Sequence, residues 1–327
     1  MQEEKINEFL NGRPFAIISG ILLIIAALLF VATGKNPPAD VGNGIFFNIE
    51  GVFINHALGS MLVNVACVLG IGLMMNALNK TYNFVRAFTF VFVSAFFLLE
   101  MSNPLTSSVF NIGTALCLTL VAGTFILFNT YQDKRAQYSI LLVMVILSFC
   151  TMFHWMFIVL IPCFVLGFFY MRAMNLRSAL AMCIGLLTPF WILLGMGVVK
   201  PADFTLPDLI TMWDSLEFKQ TMMLGVWTAI IALATLVLTV VNLFTIYNYR
   251  LQLRVYNAFF AMVTIIIILA MCIDYQDMAT YVPILNLCLS VQVAHAFTVA
   301  PFTKRYFIVV GLAALCLIEF GISLLVG

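Results

Sequence analysis

The sequence predicts an all-α fold, a polytopic transmembrane helical bundle of about eleven spans forming a single integral membrane domain over residues 1–327. Three observations predict it. Residues of the AVILMFWYC set make up 64% of the chain and charged residues 9%, against roughly 45–50% and about 25% in soluble domains. A soluble core of this length has too little interior for that apolar surface, so lipid must cover it. The apolar residues also fall in runs of about 20, the length a helix rising about 1.5 Å per residue needs to cross the hydrocarbon.

The third observation is where the cations sit. Lys5 and Arg13 precede the first run, and Lys80/Arg86, Lys134/Arg135, Arg172/Arg177, Arg250/Arg254 and Lys304/Arg305 fill every second gap. The alternate gaps hold only Lys35, Lys200 and Lys219, but they contain Asp40, Glu50, Glu100, Asp203, Asp208, Asp214, Glu217, Asp274 and Asp277. Lys and Arg are retained on the cytoplasmic side of an energised membrane. The N-terminus is therefore expected inside, and an odd span count places the C-terminus outside.

Taken in order, the spans are 14–34, 52–78, 84–99, 112–131, 138–153, 156–174, 178–198, 221–246, 255–273, 282–299 and 306–326. The first reads as a retained span, because no small-residue cleavage site precedes Lys35. The stretch 138–174 is nearly twice a short span and is flanked by basic pairs, which requires a hairpin, turning at Phe153–His154–Trp155. Before the first span, Ile6, Phe9 and Leu10 mark a short amphipathic turn on the inner surface.

Two outer loops are longer than the rest. Residues 34–51 open with the turn-rich Lys35-Asn36-Pro37-Pro38-Ala39-Asp40 and continue through Ile45-Phe46-Phe47, expected among the headgroups. In residues 199–220, Thr205 and Asp208 have capping-box spacing, and Leu206, Leu209, Ile210, Trp213 and Leu216 recur at helical spacing. This predicts a helix lying flat on the outer face, with Trp155 and Trp227 at the same level as an aromatic belt.

Several function classes are disfavoured. The net charge is +1 with no long basic stretch, so nucleic acid is not an expected partner. The eight cysteines lie within apolar runs and form no C-x-x-C pair, which reads as packing rather than disulfide or zinc chemistry. No H-E-x-x-H spacing occurs, and no metal or cofactor is expected.

Glu319 stands as the formal charge well inside a span. A carboxylate there must be neutral, paired or facing water, so it is either a proton or substrate site or a carboxyl hydrogen-bonded to a neighbouring helix. His295 and Gln292, three residues apart on the tenth span, are either part of such a site or helix-to-helix glue. Asn64 and Asn242 read as glue. Arg172 and Arg177 bracket an inner turn and either grip a phosphate or anionic headgroup or only set topology. On the outer face, at the level of His56 and His154, Asp40 is a candidate general base on a lipid-linked substrate. Pro162 and Thr188-Pro189 are expected to kink the sixth and seventh spans, and Gly195 and Gly197 to allow close packing or a hinge.

Some of these residues carry a likeness. The stretch Leu78-Asn79-Lys80-Thr81-Tyr82-Asn83-Phe84-Val85-Arg86, followed by Asn103-Pro104, Phe110-Asn111-Ile112-Gly113-Thr114, Asn175-Leu176-Arg177 and Gly185-Leu186-Leu187-Thr188-Pro189-Phe190-Trp191, resembles an uncharacterised family of bacterial polytopic inner-membrane proteins known only as a domain of unknown function. The resemblance implies an address, the bacterial inner membrane, and a topology, but no activity. In architecture the chain is also similar to membrane glycosyltransferases that use polyprenyl-phosphate sugars. By that analogy Asp40 would act as base, assisted by Glu50, on a polyprenyl-phosphate-linked envelope precursor. The first outer loop here is shorter and lacks the paired acids typical of that group. Three readings stay open: an enzyme of lipid-linked envelope precursors, a transporter or flippase, and a membrane scaffold for a partner subunit.

Overall fold

The structure, a computed structural model, describes residues 2–34, 56–85, 89–200, 218–245, 249–274, 277–300 and 305–326. The described residues are mainly helical, with no strand among them. The helices are α1 (Gln2–Asn11), α2 (Arg13–Ala32), α3 (Ala57–Tyr82), α4 (Val91–Met101), α5 (Pro104–Ser107), α6 (Ile112–Asn129), α7 (Gln137–Phe153), α8 (Leu160–Tyr170), α9 (Leu176–Gly195), α10 (Phe218–Thr245), α11 (Leu251–Ile273), α12 (Met278–Val299) and α13 (Arg305–Val326). A 3-10 turn, Trp155–Val159, leads into α8.

Eight of these, α2, α3, α6 and α9 to α13, are long and apolar enough to cross a membrane. Three shorter apolar segments, α4, α7 and Trp155–Tyr170, accompany them. Among the described residues the expected span 84–99 is helical from Val91, and at about 1.5 Å per residue α4 covers roughly half of a 30 Å hydrocarbon layer. Asp40, Glu50, Ile45-Phe46-Phe47 and the whole expected flat helix around Trp213 lie outside the described residues.

The contacts divide the chain into two compact units. The first comprises residues 1–40, 53–118 and 216–327, and the second residues 41–52 and 119–215, with the boundary inside α6.

In the first unit α12 is the central post. Every residue from Tyr281 to His295 is buried, and α12 packs against α4, α10, α11 and α13. All eleven residues of α4 are buried too, between α2, α3, α12 and α13. The outer helices show the opposite pattern. On α2, Leu23, Ala27 and Phe30 face inward while Ile17, Ile21 and Leu28 are exposed. Bare isoleucine and leucine at helical spacing suit a hydrocarbon solvent. At the basic end, Arg305 donates to the carbonyls of Ala300 (3.0 Å) and Thr298 (3.3 Å), covering the orphan carbonyls that end α12. Residues 2–11, expected to make an amphipathic turn, form α1, which buries Asn7 and Leu10 and exposes Ile6 and Phe9. Trp227, expected in an aromatic belt, is buried on α10.

In the second unit α7 and α9 pack side by side. Their approach needs Gly185, where a Cβ would meet the Leu141 carbonyl oxygen and Met144 Cβ, both at 2.8 Å. Pro189 lies inside α9, as expected, and withdraws the N–H that Gly185 would have accepted. One residue along, the Leu186 carbonyl takes the Ser148 hydroxyl of α7 at 2.6 Å. The expected turn at His154 is present: α7 stops there, and His154 Nδ1 accepts from the Met156 N–H as the 3-10 turn begins. Pro162 falls in the first turn of α8, where its missing N–H matters least, so no mid-span break arises from it. Gly197 is the left-handed residue that ends α9 (φ 70°), with Val198 N–H bonded back to Leu193; a helix cap accounts for it without a hinge.

Candidate functional site: two carboxyls at a buried helix break

Between α4 and α6 the chain runs through the interior of the first unit with only the single turn α5 as helix. Ser102, Asn103, Thr106, Ser107 and Ser108 are all buried. Backbone of this kind survives in a membrane only when protein groups satisfy it, and here local backbone bonds and side chains share that role. Asn103 Oδ1 accepts from the Leu105 N–H at 2.9 Å and starts α5, with Pro104 in the first helical position. The Ser102 hydroxyl donates to the Leu99 carbonyl (2.8 Å) and the Thr106 hydroxyl to the Glu100 carbonyl (2.8 Å), closing the end of α4. From α3, Asn64 donates to the carbonyls of Thr106 (2.7 Å) and Ser107 (3.0 Å), while its own Oδ1 accepts from Thr114 of α6 at 2.8 Å. Asn64 is thus the clasp of the break, which fits and sharpens its reading as glue.

Two carboxyls meet this break. Glu100, in the last turn of α4, is fully buried, and its Oε1 accepts from Asn286 Nδ2 of α12 at 3.1 Å. Glu319 of α13 is 5% exposed, and its Oε1 accepts from Asn103 Nδ2 at 3.3 Å, with Ser102 beside it. The second oxygen of each carboxyl has no hydrogen-bond partner. An amide faces each carboxyl, where a Lys or Arg would have neutralised it. Asn286 is eight residues from the start of α12 and Glu319 seven from the end of α13. Both therefore lie about 10–12 Å below the helix ends opposite the basic residues.

The half of the unit nearer the basic end contains a separate polar layer. Asn242 of α10 donates to the Gln292 carbonyl and to Gln292 Oε1 (both 2.8 Å), and Gln292 Nε2 donates to Asn257 Oδ1 of α11 at 3.1 Å. His295 is buried one turn further along α12, its ring edge-on to Phe84 at 6.4 Å. At the other end, just beyond α11, Asp274 is buried and accepts from the Tyr281 hydroxyl at 3.0 Å. Burial pushes the Asp274 carboxyl above the usual aspartate range, against the opposing pull of Tyr281 and of the Asp277 backbone.

The site predicted from sequence is therefore split. Glu319 belongs to the carboxyl pair, while Gln292 and His295 belong to the other layer and make no bond with it. Arg172 and Arg177 are in the second unit and exposed, near a turn in which Asn175 donates to the Lys134 carbonyl at 2.8 Å. Asp40 and Glu50 lie outside the described residues. Glu100, Asn103 and Asn286 were missed as site residues: Glu100 ends an apolar run and reads as a loop acid. The one available signal was Asn103-Pro104, a helix-start pair directly after that run. Among the described residues no group of three or more His, Cys, Asp or Glu side chains is placed to hold a metal ion. No family model, curated protein or solved structure matches this chain.

Proposed function

We propose that this chain is a cation-coupled membrane transporter or flippase, with the break between α4 and α6 as its coupling site. The observation that carries the reading is the pair of buried carboxyls faced by neutral amides. A charged side chain at the centre of a bilayer is unfavourable by roughly 2.5–3.5 kcal/mol or more. Asn103 and Asn286 orient the two carboxyls without neutralising them, which leaves that role to a cation from solution. Glu100 sits at the carbonyl-rich end of α4, which adds negative potential. Binding there is tied to backbone shape, because Asn103 both contacts Glu319 and starts α5. Broken helices whose ends hold the coupling ion are a recurring device of secondary transporters.

Charge displacement on solid-supported membranes tests this with purified protein in lipid. A pH jump or a sodium jump should give a transient current in the wild type, reduced at least tenfold in Glu100→Gln. No current from either jump would end the transport reading.

The same reading sets the protein in the bacterial inner membrane with eleven crossings and an inside N-terminus, α4 and the α5 turn together making the third. The alternative, action on lipid-linked envelope precursors, depends on Asp40 and Glu50. Unchanged envelope glycans in Asp40→Asn, at normal protein level, would remove it.

A further inference from the structure

We infer that Glu100 and Asn286 close into a neutral acid–amide pair by taking up one proton, which makes Glu100, and not Glu319, the proton-holding carboxyl. Asn286 Nδ2 donates to Glu100 Oε1 at 3.1 Å, so amide and carboxyl already meet. The two oxygens left over, Glu100 Oε2 and Asn286 Oδ1, are both buried and both without a partner. Each is an acceptor, so an ionised carboxylate gives neither of them a donor. A single proton from water, bound to Oε2, supplies it: Oε2–H donates to Oδ1 while Nδ2–H still donates to Oε1. One hydrogen bond becomes two, and a buried charge disappears.

The surroundings favour a proton over a sodium ion. Oxygens that would complete a metal shell are already engaged: the Glu100 carbonyl by Thr106, the Leu99 carbonyl by Ser102 and the Asn103 carbonyl by Ser107. Glu319 differs in one atom. Its amide partner, Asn103, has its Oδ1 committed to the Leu105 N–H as the cap of α5, so the same ring is not waiting to close. Among the titratable groups, the Cys117 thiol of α6 interacts electrostatically with Glu100, while Cys288 lies by Cys117 and Cys316 by Glu319; none of them supplies a donor to Glu100 Oε2.

The assignment rests on the transport reading for its role in coupling, whereas the pair itself has its own readout. Infrared spectra of the whole protein in lipid at neutral pH should show a protonated-carboxyl band that shifts in heavy water. It should vanish in Glu100→Gln, persist in Glu319→Gln and move to higher frequency in Asn286→Leu, where the amide is gone. Absence of the band in the wild type overturns the inference, as does its loss in Glu319→Gln with retention in Glu100→Gln, or an unmoved band in a folded Asn286→Leu. Should Asn286→Leu fail to fold, the two glutamate variants still decide. The band without any charge displacement would leave the pair standing and retire the transporter; displacement without the band would do the reverse.

Discussion

Asn103 serves two partners with one amide: its oxygen caps α5 and its nitrogen donates to Glu319. The two roles separate by substitution. Asn103→Ala removes both and should destabilise the protein by about 1 kcal/mol from the cap alone, since that is the usual effect of losing one. Asn103→Ser keeps a capping oxygen and should recover most of that loss in thermal unfolding, while leaving Glu319 without its donor. Equal melting temperatures for the two variants would show that the cap contributes nothing. Asp274 gives a second prediction, in pH. Its folded value lies above the usual aspartate range because of burial, so the folded state prefers the protonated form. Stability from this group is then fullest at acid pH and is lost as pH rises through the raised value. Replacing it as Asp274→Asn should flatten the dependence of melting temperature on pH above about pH 4, the ordinary aspartate value. Steeper dependence in the variant would reverse the assignment. Glu319 was legible from sequence because it is the one charge in the apolar run 306–326. Glu100 was not, because the acid follows its apolar run and only the folded chain shows the backbone beyond it staying inside.

At the scale of single elements, close approach decides what is tolerated. Gly113 begins α6 against the carbonyl of Thr280 at the start of α12, and an added Cβ would overlap that backbone oxygen. Gly113→Ala should therefore destabilise by about 1–3 kcal/mol, the range for overpacking, because backbone cannot swing aside as a side chain does. Unaltered thermal unfolding of purified Gly113→Ala would contradict the contact. In the second unit, Ser148→Ala removes the donor to Leu186 beside Pro189, and a loss of about 1 kcal/mol is expected. Periodicity and charge gave the long helices, since both follow from the solvent each face meets. They began α4 too early, because residues 84–90 are largely apolar although the described helix starts at Val91, and they read the buried, capped break after it as a loop at the membrane surface. Pro162 shows the same limit: proline marks a change of geometry, and only the fold shows that it falls in the first turn of α8, just after the 3-10 turn.

For the molecule as a whole, the proposed odd number of crossings has a direct check. Reporter fusions after Lys134 and after Gly327 should report opposite compartments, and the same compartment for both would undo the proposed topology. The fold class was legible because apolar composition and cation placement are bulk properties, robust to errors in any one residue. The carboxyl pair was not, because it joins α4, α5, α12 and α13 across more than two hundred residues of chain. No local pattern records that meeting.

The most enclosed of the eight long helices, α12, is also the least apolar of them. A segment leaving the translocation channel partitions into lipid on its own hydropathy, and Asn286, Gln292 and His295 all weigh against this one. It should dwell at the channel until it has packed against α4, α10 and α11, which reach the bilayer before it. Crosslinking of stalled nascent chains would then catch α12 beside the channel well after α11 has left. The helix at the heart of the finished protein would be among the slowest to enter the bilayer, and its biogenesis the step most sensitive to truncation of its neighbours.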